Sequence, residues 1–289
     1  MYVRGMTFID EYKPRHLTLT PESPTFWRVT FDNPPVNVID AEMMGDLKVL
    51  LTELEQNETV NVVLFDSADP DFYLAHYDLA GDPSIAEALP SATGYPAWVD
   101  ITVRISKLPQ VTISAIRGIA RGAGSEFVLA TDIRFASVEK AILGQMEVGF
   151  TAVAGGGAGG RLPALVGRGR AFEILLGGDD FDGALAERYG YVNRAVPDAE
   201  FEAFVDAYAT RVSNWDHRAL GEIKGFINKY TRLPDEEFPL HSDAFWGAAA
   251  RPEFQSVAAQ LFDNGLQQKS PLEYHLGEEI AKIKPAAGK

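Results

Sequence analysis

Short apolar runs set between helix-like stretches constrain this chain more than any other feature. Asn61 to Phe65 (NVVLF), Val111 to Ile116 (VTISAI) and Ile133 to Ala136 have strand length and strand residue types. The first is apolar at consecutive positions, as in strands covered on both faces of a parallel or mixed sheet. Phe26 to Phe31 (FWRVTF) reads as the opening strand, and Asp32-Asn33-Pro34-Pro35 ends it because paired prolines offer no ladder donor. Between strands, Met43, Met44, Leu47, Leu50, Leu51 and Leu54 fall at helical spacing after Asp40, a candidate N-cap. Strand–helix–strand order of this kind implies an α/β fold with crossover connections.

Residues 80–97, rich in Gly and Pro, read as a loop able to cover a site, and Trp98 to Leu108 reads as a helix. Gly118, Gly122 and Gly124 form a turn before a helix-like Glu126 to Ala130. From Gly167 onward the pattern is mainly helical. The expected division is a core with the active site over residues 1–197 and a C-terminal helical region over 198–289. Phe238, Phe245, Trp246, Phe254 and Phe262 lie in that region with little sequence left to cover them, so it is expected to serve oligomerisation.

Composition narrows the function classes. Lys and Arg total 26 against 41 Asp and Glu, a net charge of −15, which repels nucleic acids and anionic lipid at long range. The 289 residues contain no cysteine, which removes thiolate nucleophiles, thiolate metal sites and disulfides. No apolar stretch approaches the roughly 18–20 residues of a membrane span, and Met1 to Tyr12 lacks the basic head and apolar run of an export signal. A cytoplasmic protein with no nucleic-acid or membrane partner is the expectation.

Gly155 to Gly160 matches the dinucleotide pattern G-x-G-x-x-G, with Asp179 and Asp180 downstream. Pro163 disrupts the helix that should follow, and Ala171 to Leu176 reads as helix where a second strand is required, so close backbone packing is the favoured reading. Glu126 and Glu147 each follow a glycine-containing turn among apolar neighbours. Buried carboxylates of this kind can divide acid and base roles near neutral pH, while a helix cap or an ion-pair member is the plain alternative. The histidines show no metal-ligand spacing. His76 reads as structural, and the tryptophans as core or interface.

Taken in order, these segments resemble the crotonase (enoyl-CoA hydratase/isomerase) superfamily. The matching pieces are Asp32 to Asn37 (DNPPVN), Tyr73 to Leu79 (YLAHYDL), Ile113 to Glu126 (ISAIRGIARGAGSE), Ala130 to Arg134 (ATDIR), Gly144 to Glu147 (GQME), Gly156 to Leu162 (GGAGGRL) and Gly190 to Pro197 (GYVNRAVP). The resemblance implies a spiral of ββα units, C-terminal helices that pack trimers or dimers of trimers, and an acyl-CoA thioester substrate with no metal or redox cofactor. It also implies that the Tyr77 and Ala123 backbone N–H groups bind the thioester oxygen, with Ala75, Asp78 and Gly122 beside the substrate. Glu126 and Glu147 would then be the catalytic pair that adds water across a 2,3-enoyl thioester. An enoyl-CoA isomerase, a diketone carbon–carbon hydrolase of the same fold and a non-catalytic scaffold subunit are the alternatives. The chain departs from the family at Ala75-His76-Tyr77-Asp78, where a bulky pair replaces the usual small residues.

Overall fold

In the computed structural model, which describes residues 8–284, the strands expected from apolar runs all belong to one sheet. Its order is β1 (Leu17–Ser23), β2 (Phe26–Phe31), β3 (Val62–Ser67), β5 (Val111–Ile116), β7 (Ile133–Ser137) and β10 (Arg194–Val196). From β2 onward every neighbour is parallel, with Val29 opposite Phe65, Leu64 opposite Ile113 and Ala115 opposite Phe135. Covered on both faces, β3 buries Val62 to Phe65 completely.

A second, four-stranded sheet is built from β4 (Phe72–Leu74), β6 (Ile119–Arg121), β8 (Ile142–Gly144) and β9 (Asp180–Asp182). Three successive turns of the chain each give one strand to each sheet and then a helix. Thus β3 and β4 lead to the helix Ala97–Lys107, β5 and β6 to Ala123–Ala130, and β7 and β8 to Ala158–Val166. The ββα repeat is therefore present as a stack of successive turns.

Three sequence expectations need correction. Phe26 to Phe31 is not the opening strand, for Leu17 to Ser23 form β1, antiparallel to β2, with Leu17 and Leu19 on the inner side. Pro21 is tolerated there because β1 is an edge strand and its register shifts between Pro21 and Ser23. The stretch 80–97 is not all loop, since Pro83–Glu87 is a helix capped by the Asp82 side chain. A helix does follow the glycine run, with Pro163 inside it, but the next strand, β9, pairs antiparallel with β8, and Asp180 is held by both Arg121 Nε and Nη2 at 2.7 Å. The antiparallel return strand does not suit a dinucleotide fold, and Asp180 is already engaged by Arg121.

The C-terminal helices wrap back onto the chain. Phe254 and Leu261 from Pro252–Asp263 pack with Leu276 and Ile280 against Phe150 in the 3₁₀ turn Glu147–Phe150. Phe238 closes over Val99 and Val103, so this chain itself covers part of the aromatic surface expected to need a partner. The large exposed apolar residues instead cluster on His217–Thr231, at Ile223, Phe226, Ile227 and Tyr230. No helix of the described residues is long and apolar enough to cross a membrane.

Candidate active site

The helix Ala123–Ala130 begins at the end of β6 with no side-chain cap, so the first-turn amides depend on other acceptors. Gly122 forms that N-cap and its carbonyl takes the Glu126 N–H at 2.9 Å. A Cβ on Gly124 would stand 2.0 Å from the Leu74 carbonyl oxygen, and only glycine lets the helix start lie against the end of β4. This contact brings Ala123 beside the segment that carries Tyr77.

Tyr77 pairs with Ile39 as an isolated parallel bridge: Ile39 N donates to His76 O at 2.8 Å, and Asp78 N donates to Ile39 O at 3.0 Å. In that pattern the bridged residue turns its own N–H away from the partner strand. Among the described residues neither the Tyr77 nor the Ala123 N–H has an intramolecular acceptor, and both residues line one pocket.

That pocket, a cavity of about 50 Å³, is also lined by Trp98, Glu126, Glu147, Gly156, Phe245 and Trp246. Of the residues expected at the site, it brings together Tyr77, Ala123, Glu126 and Glu147. Ala75 sits behind it, its N–H bonded to Asn37 O and its carbonyl to Arg121 N. Asp78 turns to Ala80 N and Gln267 Nε2, at 2.9 and 2.8 Å, and does not line the pocket.

Glu126 projects from the first turn of its helix and is 2% exposed. It accepts from Gly156 N at 2.6 Å and Ala158 N at 3.3 Å on Oε1, and from Trp98 Nε1 at 3.3 Å on Oε2. Arg161, partly buried and donating to Gly156 O at 2.7 Å, adds a positive charge close by. Burial nevertheless raises Glu126 to about 7, against these donors and the Arg161 charge. Glu147 opens the 3₁₀ turn after β8; its Oε2 is buried with no partner among the described residues. Burial first, and then the charge of Glu126, raise it to about 8.

The two carboxyls therefore differ in kind. Three N–H donors and a cation favour the ionised form of Glu126, while nothing but its own backbone favours that of Glu147. A proton shared by the pair resides preferentially on Glu147, which equips the site for one base and one acid near neutral pH.

Trp98 and Gly156 are site residues that sequence reasoning took for packing. The packing reading of the glycine run is correct as far as it goes, for a Cβ on Gly156 would lie 2.3 Å from Glu126 Oε2 and 2.5 Å from Trp98 Nε1. The Gly156 amide additionally serves the carboxylate. A glycine run following an isolated apolar-set glutamate was the available signal; Trp98 had none, because its role depends on an approach across 28 positions.

The comparisons with known proteins agree with this geometry. Residues 22–243 match the family model described as enoyl-CoA hydratase/isomerase. The Bacillus subtilis protein named "Putative enoyl-CoA hydratase/isomerase YngF" is 30% identical over 207 residues, covering 70% of this chain and 77% of that one. The Mycobacterium bovis protein named "Probable enoyl-CoA hydratase echA8" is 25% identical over 84% of this chain and 92% of its own. A crystal structure titled as a "putative enoyl-CoA hydratase from Streptomyces avermitilis" superposes with a TM-score of 0.89 at 40% identity, over 94% of this chain and 98% of that one. With its paired strands, its two buried glutamates and a matching model over most of its length, the chain belongs to the enoyl-CoA hydratase/isomerase family, the crotonase superfamily.

Proposed function

We propose that the protein is an acyl-CoA hydratase that adds water reversibly to a 2,3-enoyl-CoA thioester. The observation that carries this reading is the asymmetry of the glutamate pair on one pocket, Glu126 surrounded by donors and Glu147 without any for Oε2. A carboxylate offers about four lone-pair positions, and three N–H donors leave Glu126 one for a water. That water attacks Cβ and gives its proton to Glu126, while the π electrons move toward the thioester oxygen. The Tyr77 and Ala123 N–H groups hold the oxygen as it becomes an enolate, a charge that fixed amides stabilise without reorganising. Glu147 then protonates Cα, and exchange with solvent resets the pair.

The test is turnover of a short 2,3-enoyl-CoA, followed by loss of the conjugated absorbance in ¹⁸O-labelled water. Label in the product hydroxyl supports hydration. Migration of the double bond with no label incorporated would assign an isomerase instead.

The working form is proposed to be a trimer or dimer of trimers, with the exposed face of His217–Thr231 as the contact. Phe226 and Tyr230 are 63% and 77% exposed there, and an apolar helix face of that kind marks an interface. A monomer in light scattering at micromolar concentration would contradict it.

A further inference from the structure

Beside the Tyr77 amide lies a histidine that the acid–base chemistry leaves unused. His76 is 2% exposed, and both ring nitrogens face acceptors. Nδ1 lies 2.8 Å from the Tyr77 carbonyl oxygen, and Nε2 lies 3.2 and 3.4 Å from the two oxygens of Glu273. A carbonyl cannot donate and an ionised carboxylate cannot either, so the ring carries hydrogen on both nitrogens. Burial opposes that charge, and the facing Glu273 outweighs the opposition, leaving His76 above its ordinary value.

Glu273 is fully buried and anchored in turn. Its Oε2 takes the Gln267 N–H at 2.7 Å, and its carbonyl takes Arg121 Nη1 at 2.7 Å. The same C-terminal turn reaches the other side of Tyr77, where Gln267 Nε2 donates to Asp78 Oδ1 at 2.8 Å. Residues 267–274 thus grip both neighbours of Tyr77, while Ile39 fixes the opposite edge. This arrangement also accounts for the bulky pair at 76–77. The imidazole is directed away from the pocket into the C-terminal segment, and the Tyr77 ring meets Trp246 edge-on at 5.8 Å.

We infer that His76 is a positioning residue which, braced by Glu273, sets the direction of the Tyr77 N–H toward the thioester oxygen. The inference rests on the proposed role of that amide. Holding one donor in line matters because small misplacements of site groups cost up to about 10²-fold in rate.

The experiment reads the donor directly. Butyryl-CoA labelled with ¹³C at the thioester carbonyl is saturated and does not react, and its carbonyl stretch falls when the oxygen is hydrogen-bonded. It is recorded by difference infrared spectroscopy on the parent protein, His76→Phe, His76→Asn and Glu273→Gln. The expectation is a lowered band in the parent and a band shifted back toward its position in water for His76→Phe and Glu273→Gln. For these two, kcat on a short enoyl-CoA falls about 10- to 100-fold, with KM changed less than about threefold. His76→Asn keeps a donor near the Tyr77 carbonyl and is expected to restore part of the band shift. Parent-like band and kcat in folded His76→Phe or Glu273→Gln would overturn the inference, whatever their melting temperatures. If His76→Phe does not fold, the nearly isosteric Glu273→Gln decides. A parent band with no lowering would instead refute the role given to the Tyr77 amide.

Discussion

The Gly156 amide donates to Glu126 Oε1 at 2.6 Å from a position where a Cβ would be 2.3 Å from the same carboxylate. One missing side chain therefore serves two ends, a short charge-assisted hydrogen bond and room for the Trp98 indole. Gly156→Ala is expected to displace Glu126 or Trp98 and lower kcat by about 10²-fold, the scale of misplaced site groups. Steady-state rates on a folded variant check this. Parent-like kcat would show that Glu126 tolerates the shift.

Removing the indole donor isolates its electrostatic part. The Trp98 N–H favours the ionised form of Glu126, so Trp98→Phe is expected to raise the carboxyl's pKa. With Glu126 as the proposed base, the acid limb of the kcat/KM profile should move to higher pH. A shift to lower pH, or none, contradicts the role assigned to the indole.

Helix Ala97–Lys107 carries Trp98 and is tied down by Asp100, whose Oδ2 lies 2.6 Å from Lys48 Nζ and 3.6 Å from Arg104 Nη1. Asp100 is fully buried and both cations nearly so. Asp100→Ala leaves the buried Lys48 without its carboxylate, while Arg104 keeps Glu55 at 2.7 Å, and is expected to cost about 3–5 kcal/mol in urea unfolding. A loss below about 1 kcal/mol, the range of an exposed pair, would show that water reaches the cluster.

The pair of buried glutamates also predicts a pH-dependent stability. Folding raises Glu147 from 4.5 to about 8, so the folded protein binds this proton more tightly than the unfolded chain. The stabilisation is complete below the unfolded value and is lost as pH rises through the folded one. Glu147→Gln removes the titration. Relative to the parent, the variant should therefore gain on the order of 1–3 kcal/mol between pH 5 and 9. Thermal melts across that range measure it, and a pH-independent difference would contradict it.

How far these features were legible depends on the distance over which the residues act. The buried strands and the helix Ala41–Leu54 were readable because period and burial coincide, with Met43 to Leu54 inward and Asp40 bonded to Met43 N at 2.8 Å. The strands of the second sheet escaped notice because three residues cannot display a period. Leu17 and Leu19 do alternate with threonines, but Pro21 and Pro24 hid the edge strand they belong to. Glu126 and Glu147 stood out as isolated acids in apolar surroundings. The Trp98 donor to Glu126 and the Glu273 brace on His76 did not, since they span 28 and 197 positions. The C-terminal aromatics were legible as a hydrophobic surface and not as a pocket wall, because only the fold sets Phe245 and Trp246 opposite Ala123.

The most direct test of the account is hydration by Glu126→Gln, Glu147→Gln and the double variant, with folding verified by circular dichroism. Each substitution preserves shape while removing one proton-transfer group, a loss worth about 10²–10⁴ in rate. The account predicts comparable falls in both single variants and little further fall in the double, as for groups acting as a unit. Parent-level hydration by either single variant would contradict the division of labour between Glu126 and Glu147.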